Sequence, residues 1–392
     1  MDNTDRTIDE SLFSQSNQST LSIDTTTPEQ LSLPTFSKHN ILSSLETPVS
    51  PVESLFSNRS PSSPTTPVTP ILSRLGVSSL SRGKFIHFPL NNTLLDQYVL
   101  SPDLFSLTLD KQIGQGGSAY VYQCQLSPID DASSVLNLAI KIPQGKFKAK
   151  SIVQEASFAL LLKQQISLYN NTHIPFPFID YLGIYYLNKE TFPKFRRNDE
   201  LPCLLMPIMS LSLSAYIEQK PLIPEKTRLP LKEFWQLYHT LIEAILILNR
   251  MKAAHADIKP DNILITFNEV TQQPEFKLID FSSASIVSEY TEMPDITYNF
   301  TAPELMQNGA KVRPNTSSDL FSVGLVLLFA ATGEIPYAAA SHDFHYLINA
   351  VQSGDVLSWI NVESRAILHK NVEVATTIEK LISRTLPLPL ET

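Results

Sequence analysis

The chain has 392 residues, of which 43% are hydrophobic, and a formal net charge of -9. The acidic balance argues against a general nucleic-acid binder, which carries a basic surface, and no nucleic-acid partner is expected. The longest apolar run, which begins at Phe321, is shorter than the roughly 20 residues that a membrane span needs, so no membrane partner is expected either.

The sequence contains two cysteines, Cys124 and Cys203, and its N-terminus lacks the apolar core of a secretory signal. Two cysteines cannot form the disulfide framework that supports small secreted domains. These features predict a soluble intracellular protein of the cytoplasm, the nucleus or both.

The first 100 residues form a region of their own, dominated by Ser, Thr, Asn and Pro up to about residue 81. Such a segment buries too little apolar surface to offset its ordering entropy, and disorder is predicted. Its Ser/Thr-Pro dipeptides are either incidental to this composition or sites for proline-directed kinases. Phosphorylation at these sites would add negative charge to the segment. These dipeptides begin at Thr27, Thr47, Ser50, Ser60, Ser63, Thr66 and Thr69.

From about Leu107 the pattern becomes that of a folded domain. Alternating apolar residues surround a glycine cluster between Leu109 and Val121 and recur at 138–142, which predicts strands. Residues 152–162 follow a helical pattern. A longer amphipathic helix is predicted from apolar residues at helical spacing, namely Phe234, Leu237, Leu241, Ile245 and Leu248. A β-rich part therefore precedes a helix-rich part.

Three features of the β-rich part point to a phosphate ligand. The glycines of 113–121 allow a tight turn whose N–H groups approach a polyphosphate, although a glycine cluster is as often a plain hairpin turn. Lys141 ends an apolar strand, where its ammonium needs a partner or a ligand. Glu155, on the following helix, can supply the counter-charge, although Lys–Glu pairs are also common on surfaces.

The strongest signal is His255-Ala-Asp-Ile-Lys-Pro-Asp-Asn262, followed by a second segment that contains Asp280. Phosphoryl transfer needs a carboxylate that orients the attacking hydroxyl, a cation that offsets charge on the phosphoryl group, and oxygen ligands for magnesium. The four residues that supply this set are Asp257, Lys259, Asn262 and Asp280. Their order behind a glycine cluster and a strand lysine makes a chance assembly improbable.

From Leu107 onward the chain resembles the eukaryotic protein kinase family, whose signature is a Gly-rich loop, V-A-I-K, H-R-D-x-x-x-x-N, D-F-G and A-P-E. The resemblance implies an α+β, two-lobed kinase fold over residues 105–392, with a small β-rich lobe, a hinge near 206–210 and a larger helical lobe. It also implies ATP and Mg²⁺ as cofactors, and proteins as substrates.

The resemblance assigns roles residue by residue. The implied catalytic group is Asp257, Lys259, Lys141, Glu155 and Thr297, and Asn262 and Asp280 are the implied magnesium ligands. Met206 matches the gatekeeper, and Asp319 matches an aspartate that braces the catalytic loop. The implied ATP contacts are Ile113, Gly114, Gln115, Gly116, Gly117, Ser118, Ala119, Val121, Ala139, Lys141, Met206 and Met209.

Two positions indicate the substrate class. Lys259, two residues after Asp257, follows the serine/threonine pattern of the family. Thr297, five residues before Ala302, matches the threonine that contacts this lysine and aspartate in the same class. We therefore expect a serine/threonine-protein kinase.

The sequence departs from the family pattern at several positions. Ala256 replaces the arginine that reads a phosphorylated activation loop, which implies activity independent of such a phosphate. Ser282 replaces the glycine of D-F-G, and its side chain is expected to restrict movement of the neighbouring aspartate. Residues 266–274 predict an enlarged hairpin. The sequence ends before the arginine that pairs with Glu304 in the family, so Glu304 is expected to lack its usual partner, with Arg384 or Arg313 as substitutes.

Two other functions fit parts of the sequence. A pseudokinase scaffold would bind nucleotide without turnover, and the changes at 256 and 282 favour it, whereas Lys141, Asp257 and Asp280 oppose it. A small-molecule kinase would share the catalytic aspartate and asparagine, but such enzymes do not normally carry Thr-x-x-x-x-Ala-Pro-Glu, which is present at 297–304.

Overall fold

The computed structural model describes residues 105–129, 135–166, 175–187, 192, 201–289, 296–306 and 312–385. The predicted N-terminal arm, with its Ser/Thr-Pro dipeptides, lies outside these residues. The boundaries of the arm and of the folded domain therefore remain predictions from sequence.

A five-stranded antiparallel sheet forms the small lobe. Its strands are β1 (Phe105–Gln115), β2 (Ala119–Pro128), β3 (Leu136–Pro143), β4 (Gly183–Leu187) and β5 (Leu201–Pro207). Their order is β1-β2-β3-β5-β4, which places β3 in the centre between β2 and β5. This position buries the strand that carries Lys141.

One long helix, α1 (Ala149–Ile166), packs against the small-lobe sheet. It contains the predicted stretch 152–162 and buries Ile152, Phe158 and Leu162. The sheet has a second apolar cluster, which includes both cysteines, Cys124 and Cys203, as fully buried free thiols. Burial raises the pKa of Cys124 to about 12 and also raises that of Cys203.

The large lobe is mainly helical. Its helices are α2 (Leu213–Glu218), α3 (Leu231–Arg250), α4 (Thr316–Thr332), α5 (Phe344–Ser353), α6 (Val362–Lys370) and α7 (Val372–Ile382). Short strands complete it, namely β6 (Leu211–Ser212), β7 (Ala253–Ala254), β8 (Ile263–Phe267), β9 (Pro274–Leu278) and β10 (Ser285–Ile286). The predicted α+β architecture of a β-rich lobe followed by a helical lobe is confirmed.

The core of the large lobe lies between α3 and α4. All five apolar residues that predicted helix α3 are buried, and burial of such a side chain stabilises by about 1.5–3 kcal/mol. Helix α4 is apolar on all sides and is buried almost throughout. It begins at a capping box on Asn315 and ends at Gly333, whose φ of 76° suits glycine.

The catalytic segment lies on the edge of this core. It runs from β7 to β8, and the hairpin of β8 and β9 then leads to Asp280. The hairpin turn at 268–273 is the enlargement predicted from sequence. None of the helices in the described ranges has the length and apolarity required to cross a membrane.

Candidate active site

A buried ion-pair cluster joins the small lobe to the catalytic segment. The Lys141 Nζ atom on β3 lies 2.8 Å from Glu155 Oε2 on α1 and 2.9 Å from Asp280 Oδ1, which follows β9. Glu155 is fully buried and Lys141 nearly so. The sequence predicted the pairing of Lys141 with Glu155, and the structure adds Asp280 to this charged site.

The ionisation of this cluster is set by burial and by the opposed charges. Burial alone would lower the pKa of Lys141, but Glu155 and Asp280 raise it, so the ammonium is retained. Burial alone would raise the pKa of Asp280, but the Lys141 charge and hydrogen bond lower it to about 2. Burial raises the pKa of Glu155, and Lys141 partly offsets that effect.

Tyr181, just before β4, belongs to the same cluster but was not singled out from sequence. Its hydroxyl donates to Glu155 Oε1 at 2.5 Å and accepts from the backbone N–H of Asp280 at 3.2 Å. Burial and the Glu155 carboxylate raise the pKa of Tyr181 well above its ordinary value, so the hydroxyl keeps its proton. No motif marks this position, because tyrosine before a strand is ordinary core composition.

A second cluster surrounds the Asp257 carboxylate. Asn262 Nδ2 donates to Asp257 Oδ2 at 3.0 Å, and Lys259 Nζ lies 2.7 Å from the same oxygen. Thr297 Oγ1 donates to Asp257 Oδ1 and accepts from Lys259 Nζ, both at 2.9 Å. The structure therefore brings together Asp257, Lys259, Asn262 and Thr297, although Thr297 is 40 residues from Asp257.

Asp319 on α4 accepts hydrogen bonds from the backbone of the catalytic segment. Its carboxylate accepts from the N–H groups of His255 at 2.7 Å and Ala256 at 3.0 Å. Ala256 has a φ of 67°, a conformation that costs an alanine free energy, and these hydrogen bonds stabilise it. Burial raises the pKa of Asp319 to about 7, against the lowering effect of the two N–H groups.

His255 also holds this segment in place, a role the sequence did not reveal. Its ring contacts Ile279 O at 3.0 Å through Nε2 and accepts from the N–H of Asp257 through Nδ1. Burial lowers the pKa of His255, which favours the neutral ring that can accept this bond. The ring also packs edge-on against Phe281 at 5.5 Å between centroids.

The glycine-rich segment forms the β1–β2 hairpin. Gln115 ends β1 and Ala119 begins β2, while the N–H of Gly116 donates to Ala119 O. A Cβ atom on Gly116 or Gly117 would meet no other atom within 4 Å, and neither residue has a left-handed φ. The turn itself therefore does not demand glycine, and the absence of side chains instead leaves space beside the hairpin backbone for a ligand.

The other implied ATP contacts lie on the strands next to this hairpin. Met206 is buried near the end of β5, directly opposite Ala139 on β3. Val121 on β2 lies opposite Lys141. Ile113 is half exposed and Met209 lies just beyond β5. These positions lie on β1, β2, β3 and β5 or just after β5, and the remaining implied contacts are Gly114 on β1 and Ser118 in the hairpin turn.

Two side-chain oxygen atoms, one on Asn262 and one on Asp280, suit a magnesium ion. Asn262 Nδ2 donates to Asp257 O and Asp257 Oδ2, which orients the amide and leaves Oδ1 available as a ligand. Asp280 uses Oδ1 for Lys141, and its Oδ2 has no hydrogen bond to another described residue. Carboxylate and amide oxygens are the ligands Mg²⁺ prefers, and it commonly takes only one or two from protein. The residues present fit the ion.

Ser282 stands where the resemblance implies a glycine, but it does not adopt a left-handed φ. Its N–H faces Asp280 Oδ1 at 3.4 Å, while Asp280 itself takes the left-handed conformation at φ 65°. The serine therefore imposes no backbone strain in this arrangement.

Of the two cations that the sequence offered as substitute partners for Glu304, the structure selects Arg384. Glu304 forms an ion pair with Arg384, which follows helix α7, and the Arg384 guanidinium also lies over the Phe321 ring. The alternative cation, Arg313, instead donates to the carbonyl of Ser288. Glu304 therefore has a charged partner within the chain.

Comparison with known proteins identifies the relatives of this chain. A family model described as protein kinase domain matches residues 107–389. Serine/threonine-protein kinase ISR1 of Saccharomyces cerevisiae is 28% identical over 345 residues, which cover 78% of this chain and 75% of that protein.

Further relatives match over shorter stretches. Serine/threonine-protein kinase ISR1 of Eremothecium gossypii is 26% identical and covers 60% of this chain and 67% of its own length. A crystal structure of a kinase domain aligns at a TM-score of 0.45 with 18% identity, over 76% of this chain and 87% of that chain.

Proposed function

The chain belongs to the protein kinase family, and we propose that it transfers the γ-phosphoryl group of ATP to serine or threonine hydroxyls of proteins. The observation that carries the proposal is the joint placement of two clusters, one around Lys141 and one around Asp257. The first can hold the phosphates of ATP, and the second can hold the hydroxyl that attacks them.

Asp257 has the geometry of the residue that orients the substrate hydroxyl. Asn262, Lys259 and Thr297 hold its carboxylate in one orientation, so it is preorganised before substrate arrives. In the transfer, the hydroxyl oxygen forms a bond to the γ-phosphorus while the bond to the ADP oxygen breaks, and Asp257 accepts the hydroxyl proton. Lys259 offsets negative charge on the moving phosphoryl group.

Lys141 is the residue proposed to bind the α- and β-phosphates. Its ammonium is oriented by Glu155, and the β1–β2 hairpin, whose strand β2 pairs with β3 at Lys141, would supply backbone N–H groups. Asn262 and Asp280 would hold Mg²⁺, which neutralises phosphate charge when it is bound. The nucleotide would contact the hairpin residues and four further side chains, those of Val121, Ala139, Met206 and Met209.

Specificity for serine and threonine is supported by the contact of Thr297 with both Lys259 and Asp257. It is also supported by the names of the ISR1 relatives. Protein substrates, and proline-directed kinases acting on the N-terminal arm, are the partners proposed. The intracellular location in cytoplasm or nucleus, and activity independent of activation-segment phosphorylation, stay predictions from sequence.

The test measures phosphate transfer from ATP with Mg²⁺ to generic protein substrates by wild type and two variants. Asp257→Asn should lower kcat by at least about 100-fold and leave ATP binding largely intact, because it removes the hydroxyl-orienting group alone. Lys141→Arg should also cripple transfer, since a guanidinium cannot reproduce the point contact of an ammonium.

Matched controls come from the same segments. Asp261→Asn makes the same chemical change at an exposed position four residues from Asp257, and Lys146→Arg does so at an exposed position near Lys141. Both controls should keep wild-type rates. Nucleotide binding with equal, negligible transfer by wild type and Asp257→Asn would instead identify a pseudokinase scaffold.

A further inference from the structure

Tyr181 connects Glu155 to the backbone of Asp280, whereas Lys141 connects the carboxylates of the same two residues. Its hydroxyl oxygen is bonded at once to the Glu155 carboxylate on α1 and to the backbone N–H of Asp280. A tyrosine hydroxyl has one donor and can accept as well, so both bonds can exist together. The side chain is 2% exposed, and solvent does not compete for these bonds.

Glu155 needs this hydroxyl as well as Lys141. The glutamate is fully buried, and Lys141 contacts Oε2 while Tyr181 contacts Oε1. A buried carboxylate is costly unless its oxygens have hydrogen-bond partners. Without the hydroxyl, Oε1 would lose the donor that fixes the plane of the carboxylate, and with it the direction in which Oε2 presents itself to Lys141.

Asp280 needs the hydroxyl for a different reason. Its backbone takes a left-handed φ of 65°, which costs a non-glycine residue free energy unless surrounding contacts stabilise it. The bond from the Asp280 N–H to Tyr181 is such a contact. It fixes the backbone from which the carboxylate reaches Lys141 and the proposed magnesium site.

The ring of Tyr181 has a separate role from its hydroxyl. It packs edge-on against Phe281 at 5.8 Å between centroids, in a buried aromatic cluster that also includes Phe158 and Phe178. A phenylalanine would keep this packing and remove the hydroxyl alone. The exchange Tyr181→Phe therefore separates positioning of the ion pairs from filling of the core.

We propose that Tyr181 is a positioning residue, whose hydroxyl holds Glu155 and the Asp280 backbone in the geometry that presents Lys141 and Asp280 to the nucleotide. The inference rests on the proposed kinase function for its effect on rate. The contact itself is independent of that function. A residue of purely structural importance would affect stability and leave the orientation of the ion pairs unchanged.

The first experiment compares Tyr181→Phe with Tyr185→Phe, both in the full-length protein. Tyr185 is also a buried tyrosine of the small lobe, and its hydroxyl donates to Phe105 O at 3.2 Å, away from the Lys141 cluster. Tyr181→Phe should lower kcat about 10-fold with a smaller change in KM for ATP, and Tyr185→Phe should keep both values. Equal kcat in the two variants and wild type would overturn the proposal.

A double-mutant cycle checks that the effect passes through Glu155. In a Glu155→Gln background, Tyr181→Phe should cost less than about 3-fold in kcat, because the carboxylate that the hydroxyl orients is already gone. The same 10-fold loss in both backgrounds would contradict positioning through Glu155.

The second readout does not depend on catalysis. Hydrogen exchange of the Asp280 amide should accelerate at least about 10-fold in Tyr181→Phe and stay unchanged in Tyr185→Phe. Unchanged exchange in Tyr181→Phe would refute the contact. If wild type shows no phosphate transfer but exchange changes as expected, the proposed function fails while the hydroxyl contact stands.

Discussion

At the scale of one residue, Asp319 shows how a buried carboxylate can be hydrogen-bonded by backbone N–H groups instead of by another side chain. Its two oxygens accept the N–H groups of His255 and Ala256, where the chain takes a left-handed turn before Asp257. The catalytic segment thus keeps a conformation that its own sequence does not favour. This role requires that the Asp319 carboxylate be buried away from solvent, which is unfavourable for its charged form.

This cost predicts a pH dependence of stability. The pKa of Asp319 is about 7 in the folded protein and near 3.8 when unfolded, so the folded state binds more protons between these values. The free energy of unfolding should therefore fall as pH rises from about 4 to 7, by up to about 4 kcal/mol from this residue.

Urea denaturation of wild type and Asp319→Asn over this pH range measures the effect. The asparagine does not titrate, so the stability of wild type relative to the variant should decrease as pH rises. A constant difference between the two proteins from pH 4 to 7 would show that Asp319 keeps an ordinary pKa.

The sequence predicts the types of the charged residues better than the contacts that orient them. Lys141, Asp257 and Asp280 could be identified because phosphate chemistry requires those groups in that order. Tyr181 could not, because its importance comes from the distance of its hydroxyl to residues 26 and 99 positions away. Such a distance is set by packing and leaves no local pattern.

Among the elements, helix α7 packs closely on α4. It lies on α4 at Gly324, where a Cβ atom would come within 3.0 Å of Ile382 and 3.1 Å of Leu381. The glycine allows this approach, and the chain then turns at Arg384, whose side chain returns to Glu304. The approach of the two helices could not be predicted from sequence, so the choice between Arg384 and Arg313 as the partner of Glu304 stayed open until the fold was known.

The ion pair predicts that Glu304→Gln destabilises the protein. The change removes a carboxylate whose side chain is 19% exposed and leaves the Arg384 guanidinium without its charged partner. The expected loss is about 1–3 kcal/mol in the free energy of unfolding. Thermal and urea denaturation measure it.

An exposed glutamate in the β8–β9 turn provides the control for this change. Glu269→Gln should alter stability by less than about 0.5 kcal/mol. In an Arg384→Gln background, Glu304→Gln should cost much less than in wild type. A variant Glu304→Gln that is more stable than wild type would mean that the glutamate is unpaired in solution.

For the whole molecule, the order of elements was predictable because the hydrophobic period changes along the chain. Alternation indicated the strands before residue 143, and helical spacing indicated α3. The edges of the elements were less predictable. Helix α1 extends about one turn beyond the predicted stretch at its C-terminal end.

Removal of residues 1–80 should leave a folded, nucleotide-binding domain. Within the described ranges, the buried apolar side chains run from Phe105 to Leu381. The polar composition of the first 80 residues gives them little apolar surface to add to this core. A cooperative melting transition close to that of the full chain is the expected result.

Calorimetry of the truncated and full-length proteins decides this prediction. A chain that starts at Ser81 and aggregates, or that melts without cooperativity, would show that the removed segment stabilises the domain. The binding of ATP with Mg²⁺ should raise the melting temperature of both proteins equally.

The two thiols of the small lobe have a practical consequence. Cys124 and Cys203 are the only cysteines in the sequence, and both are buried in the same sheet with a raised pKa. Alkylating reagents attack thiolates, so the folded sheet should resist them, and labelling should follow the opening of this lobe. The protein thus carries a native reporter by which opening of the small-lobe sheet can be measured separately from unfolding of the helical lobe.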